Sequence, residues 1–278
     1  MERVATSVDL ASVVPELVRT VGCVSTVELA GSRARGDSGR FSDWDFVLHT
    51  TDHETAVDAL PAALRPLESL AAQWDRLSDV PCFMLIVPGP VKIDLIFDGV
   101  PHECEPPWDV DATTLVALDA HFWDWSLWLT SKVAAGNHAF VETELDKMHA
   151  HLLAPLGVPR PQSLFDAMMH YTDALPEWER RLGVSLDRTL RDAVAPVVRL
   201  ADVAHVVSSE TQLEFLETLV QENASIAGDV VQVREDLWVI HGFVPVDGDV
   251  LMAEFDTYDE AASVLDHLSR RTQRRDES

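Results

Sequence analysis

The chain has 278 residues, 47% of them hydrophobic and 24% charged, the balance of a soluble globular protein with room for two modest domains or one large one. Forty-seven acidic against 21 basic residues leave a formal charge of -26, with lysine only at positions 92, 132 and 147. A field of that sign repels nucleic-acid backbones and disfavours a general nucleic-acid binder, whereas it attracts small cations.

In chain order, MERVATSVDLASVVPELVRT lacks the unbroken apolar stretch of a signal peptide, so a cytoplasmic protein is expected. Positions 8–20 predict a short helix, with Asp9 as a cap and Pro15 in its middle. The apolar, β-branched run Cys23–Ala30 predicts a strand ending at Gly31. A polar stretch, GSRARGDSGRFS, leads into DWDFVLHT, where Trp44, Phe46 and Leu48 alternate with Asp43, Asp45 and Val47. That period of two predicts another strand. Residues 54–64 predict a helix that ends near Pro66. The window CFMLIVPGPVKIDLIF is broken by Pro88, Gly89 and Pro90 and then carries Lys92 and Asp94. It reads as a strand hairpin, 82–87 and 91–97, and not as a membrane span.

Beyond Pro106 and Pro107 the spacing changes. Leu115, Leu118, Phe122, Trp125, Leu129 and Val133 form one helical stripe, and similar stripes run through 139–156, 161–182, 187–207 and 209–225. The segment 228–246 is compatible with helix or strand, and 254–272 returns to a helical pattern. The expected fold is therefore α+β. Residues 1–108 would form a mixed β-sheet flanked by helices, and 109–278 a mostly α-helical bundle domain.

Three acidic positions carry the chemistry. Residues two apart on a strand share a face, so Asp43 and Asp45 project side by side while Trp44 and Phe46 turn toward the core. Adjacent carboxylates repel unless a cation sits between them, a role suited to Mg²⁺. Asp94, between Ile93 and Leu95, adds a third carboxylate if its strand pairs beside DWDF. Gly31 lets the backbone approach a phosphate closely, and Ser32 with the following N–H groups can hold the β- and γ-phosphates. Arg33 and Arg35 are placed to neutralise a departing pyrophosphate. The Lys-[Ser/Thr] ending of a Walker P-loop is missing.

The segments LAGSRARGDSGRFSDWDFVL (29–48) and VKIDLIF (91–97) together resemble the polymerase-β-like nucleotidyltransferase superfamily. The wider layout is similar to the antibiotic adenylyltransferases of the aminoglycoside 6- and lincosamide groups, with FWDWSLWLTSK (122–132) the most suggestive part of the helical half. The resemblance implies an N-terminal nucleotidyltransferase fold and a helical acceptor-binding domain. It also implies transfer of AMP, or another nucleoside monophosphate, from a triphosphate to a hydroxyl of a small molecule. Asp43 and Asp45 would ligate Mg²⁺, and Asp94 would complete the metal site or accept the acceptor proton. Gly31, Ser32, Arg33 and Lys132 would contact ATP or another nucleoside triphosphate. Some relatives carry Glu at the third position, where Asp94 has a shorter reach. An aminoglycoside is the acceptor that the acidic charge favours; a lincosamide, another metabolite or a protein are alternatives, as is a non-catalytic, antitoxin-like module. Either a monomer or a homodimer is compatible with the pattern.

Each of these residues also has a plainer reading. Asp43 and Asp45 can cap a turn or pair with arginines, and Asp94 can pair with Lys92 on its own face. Lys132 can be a solvated helix lysine, and Trp123, Trp125 and Trp128 can be core instead of a stacking platform. Glu142 and Glu144 are candidates for facing an acceptor. His149 and His151, two apart on a helix, point apart and are structural. Cys23, Cys82 and Cys104 are odd in number and at no metal-like spacing, which argues against disulfides or zinc. The basic RRTQRR run near 270–275 suits a helix C-terminus.

Overall fold

The structure, a computed structural model, describes residues 9–36, 38, 41–134, 136–204, 225–234, 237–244 and 248–255. The chain divides into two compact units, 1–198 and 199–278.

The first unit is built on a five-stranded mixed sheet. Its strands are β1 (Val24–Leu29), β2 (Trp44–Thr50), β3 (Ala71–Trp74), β4 (Cys82–Val87) and β5 (Val91–Phe97), in the order β1-β2-β5-β4-β3. Only the β2–β5 pair is parallel; the other three neighbours are antiparallel. Alternation along the strands separates two chemistries. Phe46 and Leu48 of β2, Phe83, Leu85 and Val87 of β4, and Ile93, Leu95 and Phe97 of β5 share one buried face. The helices α1 (Leu10–Arg19) and α3 (His53–Ala63) close that face with Leu10, Val14, Val18, Ala56 and Leu60. Pro15 lies inside α1 without ending it. Asp52 begins α3 by accepting the Thr55 N–H at 3.1 Å, which satisfies one of the otherwise orphaned donors.

The opposite face carries Asp45, Lys92, Asp94 and the apolar Cys82, Met84 and Ile86, and the long helix α4 (Thr114–Ala134) packs across β3, β4 and β5 there. Every residue of β4 is buried, because helices cover both of its faces. That is why CFMLIV is uninterrupted and shows no alternation. Further helices α5 (His138–Met148) and α6 (Leu164–Leu182) pack on α4. Ser163 caps α6 by accepting the Asp166 N–H at 3.0 Å, and Gly183 ends it at φ 68°. The helix α7 (Thr189–Ala204) follows.

The α+β class and the mixed sheet flanked by helices agree with the sequence expectation. Two short elements are additions to it: β3, which the sequence reading passed over, and the five-residue helix α2 (Gly31–Arg35). The mostly α-helical expectation for 109–278 meets strands in its last third. Strands β6 (Ser225–Arg234), β7 (Leu237–Val244) and β8 (Gly248–Phe255) form a second, antiparallel sheet. The described residues of the ambiguous stretch 228–246 therefore lie on β6 and β7, as its many β-branched residues favour once a neighbouring strand is available. Helical patterns expected at 209–225 and 254–272, and the RRTQRR run, fall largely or wholly outside the described residues. Among the described residues, no helix is long and apolar enough to cross a membrane.

Candidate metal centre and the cavity beside it

The centre begins with the turn from β1 into α2. Gly31 has φ 63°, a left-handed conformation that side-chain-bearing residues adopt at a cost. A Cβ at this position would lie 1.9 Å from Asp45 Oδ2. The Asp45 carboxylate thus rests on a backbone that only glycine leaves bare. Ala30 donates its N–H to the Asp45 carbonyl at 2.8 Å, holding the turn against β2. Ser32 follows in the first turn of α2, and Gly36, at φ 76°, ends the helix.

Asp43 precedes the first residue of β2, two positions before Asp45. In the parallel β2–β5 register Asp45 lies opposite Asp94. Asp43, Asp45 and Asp94 each present one carboxylate oxygen within 4.8 Å of the other two. Burial raises the Asp45 pKa from its usual value to about 6, and the neighbouring Asp43 and Asp94 charges push the same way; Lys92 and Lys132 oppose them. Asp94 is also raised, by burial first, against the pull of Lys92. Three crowded hard-oxygen donors, one of them resisting ionisation through burial first and its carboxylate neighbours second, form a donor set that fits a divalent cation such as Mg²⁺.

Arg33, expected at a phosphate, makes two contacts to the backbone leading into β2. Its Nε donates to the Asp43 carbonyl at 2.9 Å and its Nη2 to the Ser42 carbonyl at 2.7 Å. The guanidinium lies 4.1 Å from the Trp44 ring centroid. Arg33 therefore fixes the run-in to β2 and, with it, the position of Asp43. Lys132, in the last turn of α4, sits over Trp128 at 5.2 Å and is near enough to Asp45 for its charge to favour the ionised carboxylate.

Beside the three aspartates lies a cavity of about 330 Å³. Asp75, Asp79, Asp94, Asp124 and Glu144 line it with carboxylates, Lys92 and Lys147 with ammonium groups, and Trp125 and Trp128 with indole. Trp123, by contrast, is fully buried and donates Nε1–H to Asp119 at 3.1 Å, so it belongs to the core. Glu144 is buried on the cavity wall, paired with Lys147 at 2.6 Å, while Glu142 is exposed toward Arg160. His149 has a structural role, its Nε2 donating to the Val158 carbonyl at 3.1 Å. His121 also lines the cavity; burial lowers its pKa to about 4, keeping it neutral, and its Nδ1 has no hydrogen-bond partner among the described residues.

Sequence reasoning anticipated the Lys92–Asp94 pairing but missed Asp124, which completes the deepest layer of this site. Lys92 Nζ lies 2.6 Å from Asp94 Oδ1 and 2.8 and 2.7 Å from the two oxygens of Asp124. Burial raises the Asp124 pKa to about 7, opposed by Lys92. The available signal was a charge isolated within apolar sequence: Lys92 between Val91 and Ile93, Asp124 between Trp123 and Trp125. Such residues, once buried, need partners. Cys23, Cys82 and Cys104 are free thiols.

A scan against protein-family models matches none of them, and a search of curated proteins returns no match.

Proposed function

We propose that the chain is a metal-dependent nucleotidyltransferase, moving a nucleoside monophosphate, AMP in the first instance, from a triphosphate to a hydroxyl of a small molecule. The observation that supports this reading best is the convergence of Asp43, Asp45 and Asp94 beside a glycine turn whose bare Cα accommodates Asp45. Asp43, Asp45 and Asp94 would hold Mg²⁺. Its charge, when bound, would offset that of the reacting phosphates. The Gly31–Ser32 turn offers backbone N–H groups to phosphate oxygens, and Lys132 offers a cation close enough to act on Asp45. In the reaction the acceptor oxygen forms a bond to the α-phosphorus as the bond to the β-phosphate oxygen breaks and pyrophosphate leaves. The acceptor proton passes to one of the other carboxylates that line the cavity beside the centre.

The cavity is the natural seat for the acceptor. Five carboxylates against two lysines give it a negative character, and Trp125 and Trp128 supply flat apolar surface. A small cationic acceptor of the aminoglycoside type gains most from such a lining. Incubation with ATP, Mg²⁺ and a panel of aminoglycosides, following pyrophosphate release, tests the proposal. Acceptor-dependent release is expected, and Asp43→Asn is expected to abolish it; unimpaired release by that variant would refute the assignment of the metal centre.

A further inference from the structure

Lys92 is buried to 7% exposure on the sheet face that α4 covers. An ammonium group has three N–H donors, and its three close contacts account for them: Asp94 Oδ1, Asp124 Oδ1 and Asp124 Oδ2. The same Asp94 oxygen also faces the Cys82 thiol at 3.7 Å. Oδ1 of Asp94 is thus engaged from two sides, and Oδ2 is the oxygen left for other work. Asp124, only 6% exposed, reaches this cluster from α4, whereas Lys92, Asp94 and Cys82 belong to the sheet.

Stability alone is a poor reason for such a cluster. Taking an ion pair out of water costs several kcal/mol per ion, and apolar residues of similar volume often serve as well or better. The geometry instead ties an element outside the sheet to the orientation of one aspartate. We propose that Asp124, acting through Lys92, is a positioning residue for Asp94: the pair holds Oδ1 so that Asp94 enters the metal centre through Oδ2 alone. This rests on the metal-centre reading above. Asp124 also shares the Lys92 charge. Without it, Lys92 binds Asp94 undivided and competes with a metal ion for that carboxylate.

The test is calorimetric titration of the full chain with Mn²⁺, taking as background the Asp45→Asn variant, which retains the acidic surface. Wild type is expected to show a site that Asp45→Asn lacks. Asp124→Asn keeps the shape of the side chain and is expected to weaken that site about tenfold, the scale of losing a partner that orients a metal ligand. Asp119→Asn, on the same helix but bonded to Trp123 and Tyr171, is expected to leave the affinity unchanged. If Asp124→Asn does not fold, the double variant Lys92→Met/Asp124→Leu removes both charges, leaves the net charge as it was, and is expected to show the same weakening. A folded Asp124→Asn or double variant binding Mn²⁺ within about twofold of wild type would overturn the proposal and leave the cluster a structural one. Failure of wild type to differ from Asp45→Asn would instead remove the metal-centre reading, and this inference with it.

Discussion

At the scale of single residues, Gly31 and Asp45 depend on one another. The carboxylate occupies space that any Cβ at position 31 would claim, at a separation of 1.9 Å, and the backbone there is left-handed. Gly31→Ala must displace Asp45 as well as strain the turn, a backbone cost of about 1–2 kcal/mol. The variant should fold with a lowered denaturation midpoint, lose the Mn²⁺ site, and lose at least about 100-fold in pyrophosphate release, since metal ligands must sit within a fraction of an ångström. Retained turnover in a folded Gly31→Ala would show that Asp45 is not held as described. The mutual fit also shows why Gly-Ser followed by Asp-x-Asp can be read from sequence. A strand alternation exposes the two carboxylates on one face, and the glycine marks where the chain must come close to them.

At the scale of elements, α4 joins the core, the cavity and the candidate metal centre. Trp123 and Asp119 face inward, where Asp119 accepts from Trp123 Nε1 at 3.1 Å and Tyr171 OH at 2.8 Å. Burial raises the Asp119 pKa to about 6 in spite of both hydrogen bonds, with Arg188 pulling it down and Glu179 pushing it up. The folded chain therefore binds this proton more tightly than the unfolded chain does. Between roughly pH 4 and pH 6 only the folded chain keeps it, so stability falls as pH rises through that window, by about 1.4 kcal/mol per unit. Urea denaturation across that range should show a shallower decline for Asp119→Asn than for wild type; identical slopes would contradict the buried-acid assignment. The stripe of apolar residues made α4 legible, but periodicity does not say which charged residue within it will be buried. The Lys92–Asp124 contact joins positions 32 residues apart on different elements, and only the docking of α4 on β5 creates it. Likewise β3 is four residues long, too short for alternation to register, and the strands after 225 depend on pairing with each other more than on local pattern.

At the scale of the molecule, the charge of -26 and the carboxylate-rich cavity would act in the same direction on the proposed cationic acceptor. Raising ionic strength shortens the reach of that field, to about 8 Å at physiological salt and about 3 Å at 1 M. The KM for a polycationic acceptor should therefore rise several-fold between low and high salt, while a neutral acceptor of similar shape should be nearly indifferent. Equal salt responses would place acceptor selection in shape and not in charge. All residues assigned to the centre and the cavity lie in the unit 1–198. The proposed function requires three carboxylates acting together on a metal-bound nucleotide, and calorimetry of ATP binding measures this without knowledge of the acceptor. Wild type should bind ATP at sub-millimolar concentration only when Mg²⁺ is present, and Asp45→Asn should not. Absence of binding at millimolar ATP, or equal binding with and without Mg²⁺ in both proteins, would contradict it.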